Sequence, residues 1–205
     1  MKRTLAIDGG ATRQGRATRP VGRRSVATLR WVAAVVAALA LPPFSAGAAS
    51  GVADGEPAIR VEVTVDAPLE DVWIAWSTAE GAETFLAPRA NIDMRVGGAY
   101  ELFFNPSDER TSTKGMKVLS YSPPETVSFE WSFPIAEFPE LRDRTRVVVQ
   151  LTAAGPNRTR VLLAHLGWKR GADWDRAYTR AQRSWAEIAE RLRSRFATGP
   201  IRWNQ

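Results

Sequence analysis

A long apolar stripe near the C-terminus constrains the fold of this chain more than any other feature. Its members recur at intervals of one, three or four residues, the spacing of one face of an α-helix. The pattern predicts a helix from Asp173 to Phe196, and Gly199 and Pro200 are typical of the segment that follows a helix. Large rings dominate the stripe, so a broad apolar surface must lie against it; the members are Trp174, Ala177, Tyr178, Ala181, Trp185, Ile188, Ala189, Leu192 and Phe196.

Alternating sequence upstream of this helix predicts a sheet. Apolar residues from Ile59 onward alternate with polar ones, as in a half-buried strand. Two short helices follow, and then six strands separated by turns rich in Gly, Pro and Asn, the first of these strands over residues 91–96 and the third over 115–121. The apolar parity changes between Val118 and Leu119, which predicts a β-bulge. The order β-α-α-β-β-β-β-β-β-α indicates one α+β domain, with these predicted segments: a flexible lead at 49–57, the domain at 58–197 and a C-terminal tail at 198–205.

The first 48 residues are typical of an export signal. Eight basic residues and one acidic residue accompany an apolar run from Trp31 to Leu41, and small residues precede a predicted cleavage after Ala48. The run has about 11 residues, fewer than the ~20 that cross a bilayer, so we expect no stable membrane span after cleavage. The sequence therefore predicts a periplasmic or secreted protein. The Arg23-Arg24 pair leaves both the general and the twin-arginine export routes open.

Removal of this segment changes the charge of the chain. The full sequence has a net charge of +6, from 28 basic and 22 acidic residues. Eight of the basic and one of the acidic residues lie in 1–48, so 20 basic and 21 acidic residues remain. The basicity of the full chain is thus no evidence for nucleic-acid binding. The absence of cysteine excludes disulfides, thiol catalysis and thiolate metal sites, and no motif implies a cofactor.

Six short motifs follow one another along the chain: Asp66-Ala67-Pro68, Val72-Trp73-x-x-Trp76, Gly97-Gly98-x-Tyr100, Pro123-Pro124-x-x-Val127-x-Phe129-x-Trp131, Thr159-Arg160-Val161-x-Leu163-x-His165-x-Gly167-Trp168 and Trp185. Together they resemble the START-like (SRPBCC) superfamily, and within it the branch named after the activator of Hsp90 ATPase. The resemblance spans about residues 58–196 and implies a helix-grip fold, a curved antiparallel β-sheet wrapped around the long C-terminal helix. It also implies a mostly apolar cavity between sheet and helix.

Strand parity and the helical stripe indicate which side chains would face such a cavity. Apolar walls suit hydrophobic ligands, while a few polar groups set the ligand's orientation. The same residues would equally well fill a solid core. The candidates are Trp73, Trp76, Phe85, Tyr100, Leu102, Phe104, Phe129, Trp131, Val149, Val161, Leu163, His165, Trp174, Tyr178 and Trp185.

Polar candidates for chemistry are few. His165 is the only histidine, and it is either a general base or a hydrogen-bonded structural residue. One histidine with scattered acids does not predict a metal site, because catalytic zinc normally takes three protein ligands. Arg89 and Arg95 would either bind an anionic head group or lie solvated at the surface. The loop over residues 134–143, with Phe138 and Leu141, is either an entrance lid or a long surface connection.

The expected function is therefore the binding of a hydrophobic small molecule, lipid or polyketide-like, without chemistry. Members of the superfamily bind lipids, sterols, polyketides or plant hormones, and a minority cyclise or dehydrate polyketides. One alternative is accordingly a polyketide cyclase or dehydratase with His165 or Tyr100 as acid or base. The other is a protein-interaction module of the Hsp90-activator type, although export would separate it from Hsp90 and cytosolic ATP. The sequence leaves the ligand's identity and the oligomeric state open.

Overall fold

The computed structural model describes residues 57–203. The predicted export signal and most of the predicted lead lie outside the described residues. The elements, in chain order, are β1 (Ile59–Val65), α1 (Leu69–Ser77), α2 (Ala79–Glu83), β2 (Arg89–Ile92), β3 (Tyr100–Phe103), a short 3₁₀ turn (Glu109–Thr111), β4 (Val118–Ser122), β5 (Thr126–Trp131), β6 (Thr145–Gly155), β7 (Arg158–Leu166) and α3 (Ala172–Thr198).

Five antiparallel strands form the main sheet in the spatial order β1-β7-β6-β5-β4, and β2 pairs with β3 in a second, two-stranded sheet. The register aligns Val61, Leu163, Val149 and Val127 in one row across four strands. Side chains alternate between the two faces of a sheet along each strand. Every second residue of these strands therefore lies on the same face as this row. The α+β helix-grip fold is thereby confirmed.

The long helix α3 runs from Ala172 to Thr198, three residues longer than the predicted Asp173–Phe196 when both ends are counted. It begins after Gly171. Gly199 follows it with a positive φ of 105°, a backbone conformation that glycine adopts readily. The buried part of its stripe contacts β1 and the core. Among the described residues, no helix is both long and apolar enough to cross a membrane.

Two strand boundaries differ from the sequence prediction. The strand expected over residues 91–96 lies at Arg89–Ile92, because the chain turns tightly after it: the Arg95 amide donates to the Asp93 carbonyl at 2.8 Å. The strand expected over 115–121 begins at Val118. The predicted bulge is confirmed, since the pairing with β5 shifts register between Val118 and Ser120.

The segment after α3 folds back over α2. The Ile201 amide donates to the Thr84 carbonyl at 2.9 Å. The Trp203 indole donates to the Glu83 carbonyl at 2.6 Å. These two bonds fix the position of an aromatic side chain beside one end of α3, in a region that the sequence predicted only as a tail.

Candidate ligand-binding site

A cavity of about 660 Å³ lies between α3 and the loop over residues 134–143, hereafter the lid loop. This volume falls within the range of small-molecule sites, ~300–1,000 Å³. Its walls include Trp131, the last residue of β5, and Phe104, which directly follows β3. Trp203 lies at its margin.

The walls of the cavity are rings opposed by small residues. Phe133 and Phe138 pack on each other with centroids 5.9 Å apart, beside Trp131. Across from them α3 presents Ala177 and Ala181, whose methyl groups fill little space. The small side chains of these alanines leave room for a ligand, and aromatic faces make favourable contacts with apolar ligands.

The margin of the cavity carries charge. Arg180 of α3 donates from Nε to Glu137 of the lid loop at 3.1 Å, and it also donates to Ser184 one turn along the helix. Arg191 lies 3.9 Å from Glu187 and 5.4 Å from the centroid of the Trp203 ring. The apolar space is thus bordered by two arginines, each with a carboxylate beside it.

Buried side chains, a backbone hydrogen bond and an ion pair hold the lid loop against the rest of the domain. Phe138 and Leu141 are buried, while Ile135 is half exposed. The Ala136 amide donates to the Arg110 carbonyl at 3.2 Å. The Arg180–Glu137 ion pair is the polar link between the lid loop and α3. Because both side chains of that pair are about half exposed, we expect this link to contribute little to stability.

His165 lies in a closed hydrogen-bond chain beneath the cavity. Trp185 Nε1 donates to His165 Nδ1 at 3.0 Å, so the ring proton of neutral His165 must be on Nε2. Nε2 then donates to Thr145 Oγ1 at 2.7 Å, and Thr145 donates to the Trp131 carbonyl at 3.2 Å. Burial lowers the pKa of His165 to about 3. Both ring nitrogens are therefore engaged, and the imidazole is neutral.

Tyr100 is engaged in the same way. Its hydroxyl donates to the Trp76 carbonyl at 2.9 Å, and its ring stacks on Phe129 with centroids 3.8 Å apart. Burial raises the pKa of this hydroxyl far above its usual range. Neither Tyr100 nor His165 belongs to the cavity lining within the described part of the chain. The geometry therefore gives neither side chain a free polar atom for acid/base work on a bound molecule.

The structure divides the predicted site residues into two groups. Phe104, Trp131 and Trp185 line the cavity. The other candidates pack in or against the core rather than along the cavity wall: Trp73, Trp76, Phe85, Tyr100, Leu102, Phe129, Val149, Val161, Leu163, His165, Trp174 and Tyr178. Arg89 lies over the Phe103 ring at 4.2 Å, and Arg95 pairs with Asp93, both away from the cavity.

Several lining residues were missed by the sequence analysis. Ala177, Ala181 and Ile188 belong to the predicted apolar stripe of α3 but were not among the candidates for the cavity wall. Ser184 and Arg191 each lie three residues beyond a member of that stripe, on the same side of the helix. Phe133 continues the alternation of Phe129 and Trp131, although β5 ends at Trp131. Trp203 carries no such signal, because it lies in an irregular segment where no periodicity indicates direction. Across residues 57–203 the structure has no cluster of three or more potential metal ligands.

Comparison with protein families supports the assignment made from the fold. The family model described as "Activator of Hsp90 ATPase homolog 1-like protein" matches residues 66–197, well over half of the sequence. This chain belongs to that family. The resemblance drawn from the sequence motifs is thereby confirmed. No curated protein matches the chain.

Solved structures of the family's fold show the same architecture. Protein MLL2253 from Mesorhizobium loti is 21% identical with a TM-score of 0.56, over 71% of this chain and 100% of that one. The Aha1 dimer from Colwellia psychrerythraea is 20% identical with a TM-score of 0.53, over 70% and 98%. Protein BH1534 from Bacillus halodurans is 26% identical with a TM-score of 0.53, over 68% and 96%. These likenesses concern the fold.

Proposed function

We propose that this protein is exported and binds a hydrophobic small molecule, a lipid or a polyketide-like compound, without transforming it. The observation that carries the proposal is the cavity of about 660 Å³ between α3 and the lid loop, with aromatic walls and a polar margin. Burial of a ligand's carbon surface there is favourable by ~25 cal/mol per Å². The charged margin would orient the ligand.

Binding without chemistry is favoured by the state of the two candidate acid/base residues. A cyclase or dehydratase needs an acid or base that reaches the bound substrate. His165 and Tyr100 instead satisfy buried protein groups, and both are held in their neutral forms. Their hydrogen bonds support a structural role, which is the reason why we place binding before catalysis.

Export is supported by the composition of residues 1–48, which lie outside the described residues. An exported protein would not meet Hsp90 or cytosolic ATP, so we do not extend the name of the family to a function. N-terminal sequencing of the protein from the cell-envelope fraction tests this part. Ala49 as the first residue is expected; a cytosolic protein that retains residues 1–48 would contradict export.

Ligand binding is tested by native mass spectrometry of the protein purified from its own cell envelope. A mass adduct that is present under native conditions and lost on denaturation is expected, and it would give the mass of the ligand. A bare protein that also fails to brighten an apolar fluorescent dye would contradict the proposal. An adduct whose mass changes on incubation with the protein would instead favour the enzyme.

A variant that fills the cavity tests whether the ligand binds there. Ala181→Trp places a large ring in the cavity, whereas Ala186→Trp places the same ring on the exposed face of α3. We expect Ala181→Trp to abolish dye binding and the adduct, and Ala186→Trp to leave both unchanged. Equal binding by the two variants would show that the molecule binds elsewhere.

A further inference from the structure

The cavity and a second depression share one wall. This depression, hereafter the arginine groove, has a volume of about 500 Å³ and is lined by the lid loop and the N-terminal half of α3. Arg180, Glu137 and Phe138 line both spaces. The residues of the groove are Glu137, Phe138, Asp175, Arg176, Thr179, Arg180 and Arg183.

The groove is lined by three arginines and two carboxylates. The arginines are four and three residues apart along α3, a spacing that places them on one face of the helix. Arg176 pairs with Asp173, which lies outside the lining, and Arg180 pairs with Glu137. Arg183 forms no ion pair with any described residue. One cation of the groove therefore remains without a carboxylate partner in the described chain.

We propose that the ligand is an amphiphile with one anionic head, a carboxylate or phosphate, and an apolar body. The head binds Arg180 and Arg183 in the arginine groove, and the body lies in the cavity against Trp131 and Phe133. This inference rests on the proposed function and specifies its ligand class. Guanidinium groups suit the task because they bind planar or tetrahedral oxyanions through two parallel N–H bonds.

The Arg180–Glu137 ion pair is the element that such a head group displaces. The two side chains are 47% and 45% exposed, and half-exposed ion pairs contribute little to stability. An incoming anion replaces one oxygen acceptor of Arg180 by another, so the exchange costs little. Since Glu137 belongs to the lid loop, the exchange also releases the polar link between the lid loop and α3. Head-group binding and lid opening are thereby coupled.

The test compares probes that share a tail and differ in the head. Dodecanoate, dodecyl phosphate, dodecanol and dodecyltrimethylammonium are titrated below their aggregation concentrations, with displacement of an apolar dye as the signal. We expect the two anions to bind about tenfold more tightly than dodecanol, which corresponds to ~1.4 kcal/mol. The advantage should shrink as salt is raised, because exposed charges are screened. Acetate and inorganic phosphate, which lack the tail, should not bind measurably.

Substitutions test whether the arginine groove causes the tighter binding of the anionic probes. Arg180→Gln should remove most of the advantage of dodecanoate over dodecanol while leaving the affinity for dodecanol unchanged. Glu137→Gln removes the competing carboxylate and should increase the affinity for dodecanoate a few-fold. Arg193→Gln is the matched control, because Arg193 is an exposed arginine of the same helix that pairs with Glu190. It should leave both affinities unchanged.

The outcomes separate this inference from the proposed function. Equal binding of dodecanoate and dodecanol, or tighter binding of the cation, would overturn the head-group assignment and leave the hydrophobic cavity standing. Binding of inorganic phosphate as tightly as dodecyl phosphate would also overturn it, since the groove would then be a simple anion site. Failure of every tailed probe to bind would count against the cavity itself.

Discussion

Trp185 Nε1 donates a hydrogen bond to His165 Nδ1 at 3.0 Å, which joins the long helix α3 to the last strand β7 inside the core. The imidazole also lies edge-on to Trp131, with ring centroids 5.9 Å apart, and 4.4 Å from the centroid of Trp168. Because the indole N–H can only donate, it fixes the tautomer of neutral His165, with the ring proton on Nε2. Helix and strand are thus held at one relative position by a polar contact that purely apolar packing would not supply.

His165 should stay neutral in the folded protein throughout the physiological pH range. Burial lowers its pKa to about 3, against ~6.5 in the unfolded chain. Between these values the unfolded state binds a proton that the folded state does not, so the free energy of unfolding falls as the pH is lowered below ~6.5. At pH 5 the loss amounts to about 2 kcal/mol, from 1.36 kcal/mol per pH unit. Above pH 7 this residue contributes no pH dependence.

A direct measurement is available because the chain has one histidine. The imidazole resonances of a tag-free protein can be followed by NMR from pH 8 to the onset of acid unfolding. We expect no titration of the folded signal above pH 5. A midpoint between about 6 and 7 would contradict both the burial and the hydrogen-bond chain.

Thr145→Val should destabilise the protein by removing the acceptor of the His165 Nε2 proton. A buried N–H without a partner costs about 1–3 kcal/mol. Thr145 is buried on β6, and Thr152 lies exposed on the same strand, so Thr152→Val is the matched control. Urea unfolding at pH 7 should show the loss for Thr145→Val and a change within about 0.5 kcal/mol for Thr152→Val. Equal stability of the two variants would mean that Thr145 does not serve His165.

Tyr100→Phe should cost about 1–3 kcal/mol of unfolding free energy, because it leaves the buried Trp76 carbonyl without its donor. The stacking of the ring on Phe129 is retained, so the loss reports the hydroxyl alone. Tyr121 lies exposed on β4, and Tyr121→Phe is the control. Dye binding should survive in both variants. Loss of binding without loss of stability in Tyr100→Phe would instead place this hydroxyl at the ligand.

Trp203→Ala should accelerate release of a bound molecule. The indole lies at the margin of the cavity, where it donates to the Glu83 carbonyl and faces Arg191. Its removal opens that margin, and we expect the dissociation rate of a fluorescent fatty-acid analogue to rise roughly three- to tenfold in stopped-flow measurements. Arg202→Ala, which changes the exposed neighbour, should leave the rate unaltered. Similar rates for Trp203→Ala and the unmodified protein would show that the ligand does not pass this margin.

Most of the fold was predictable because its signals are local. The periodicity of α3, the alternation of β1 and the parity change at Leu119 each depend on a few neighbouring residues. The candidate site was predicted only in part. Strand parity correctly indicates which face of the sheet is buried, but Leu163 and Val149 are buried against other core residues and not against the cavity.

The sequence by itself determined the order of the elements, the family and the apolar stripe of α3, since these follow from residue type and spacing along the chain. Only the tertiary structure decided where empty space remains. That depends on how Ala177 and Ala181 of the helix stand opposite rings from the lid loop and the strand ends, and on where the irregular segment bearing Trp203 folds back. Packing between segments distant in sequence has no periodicity, so no local pattern can reveal it.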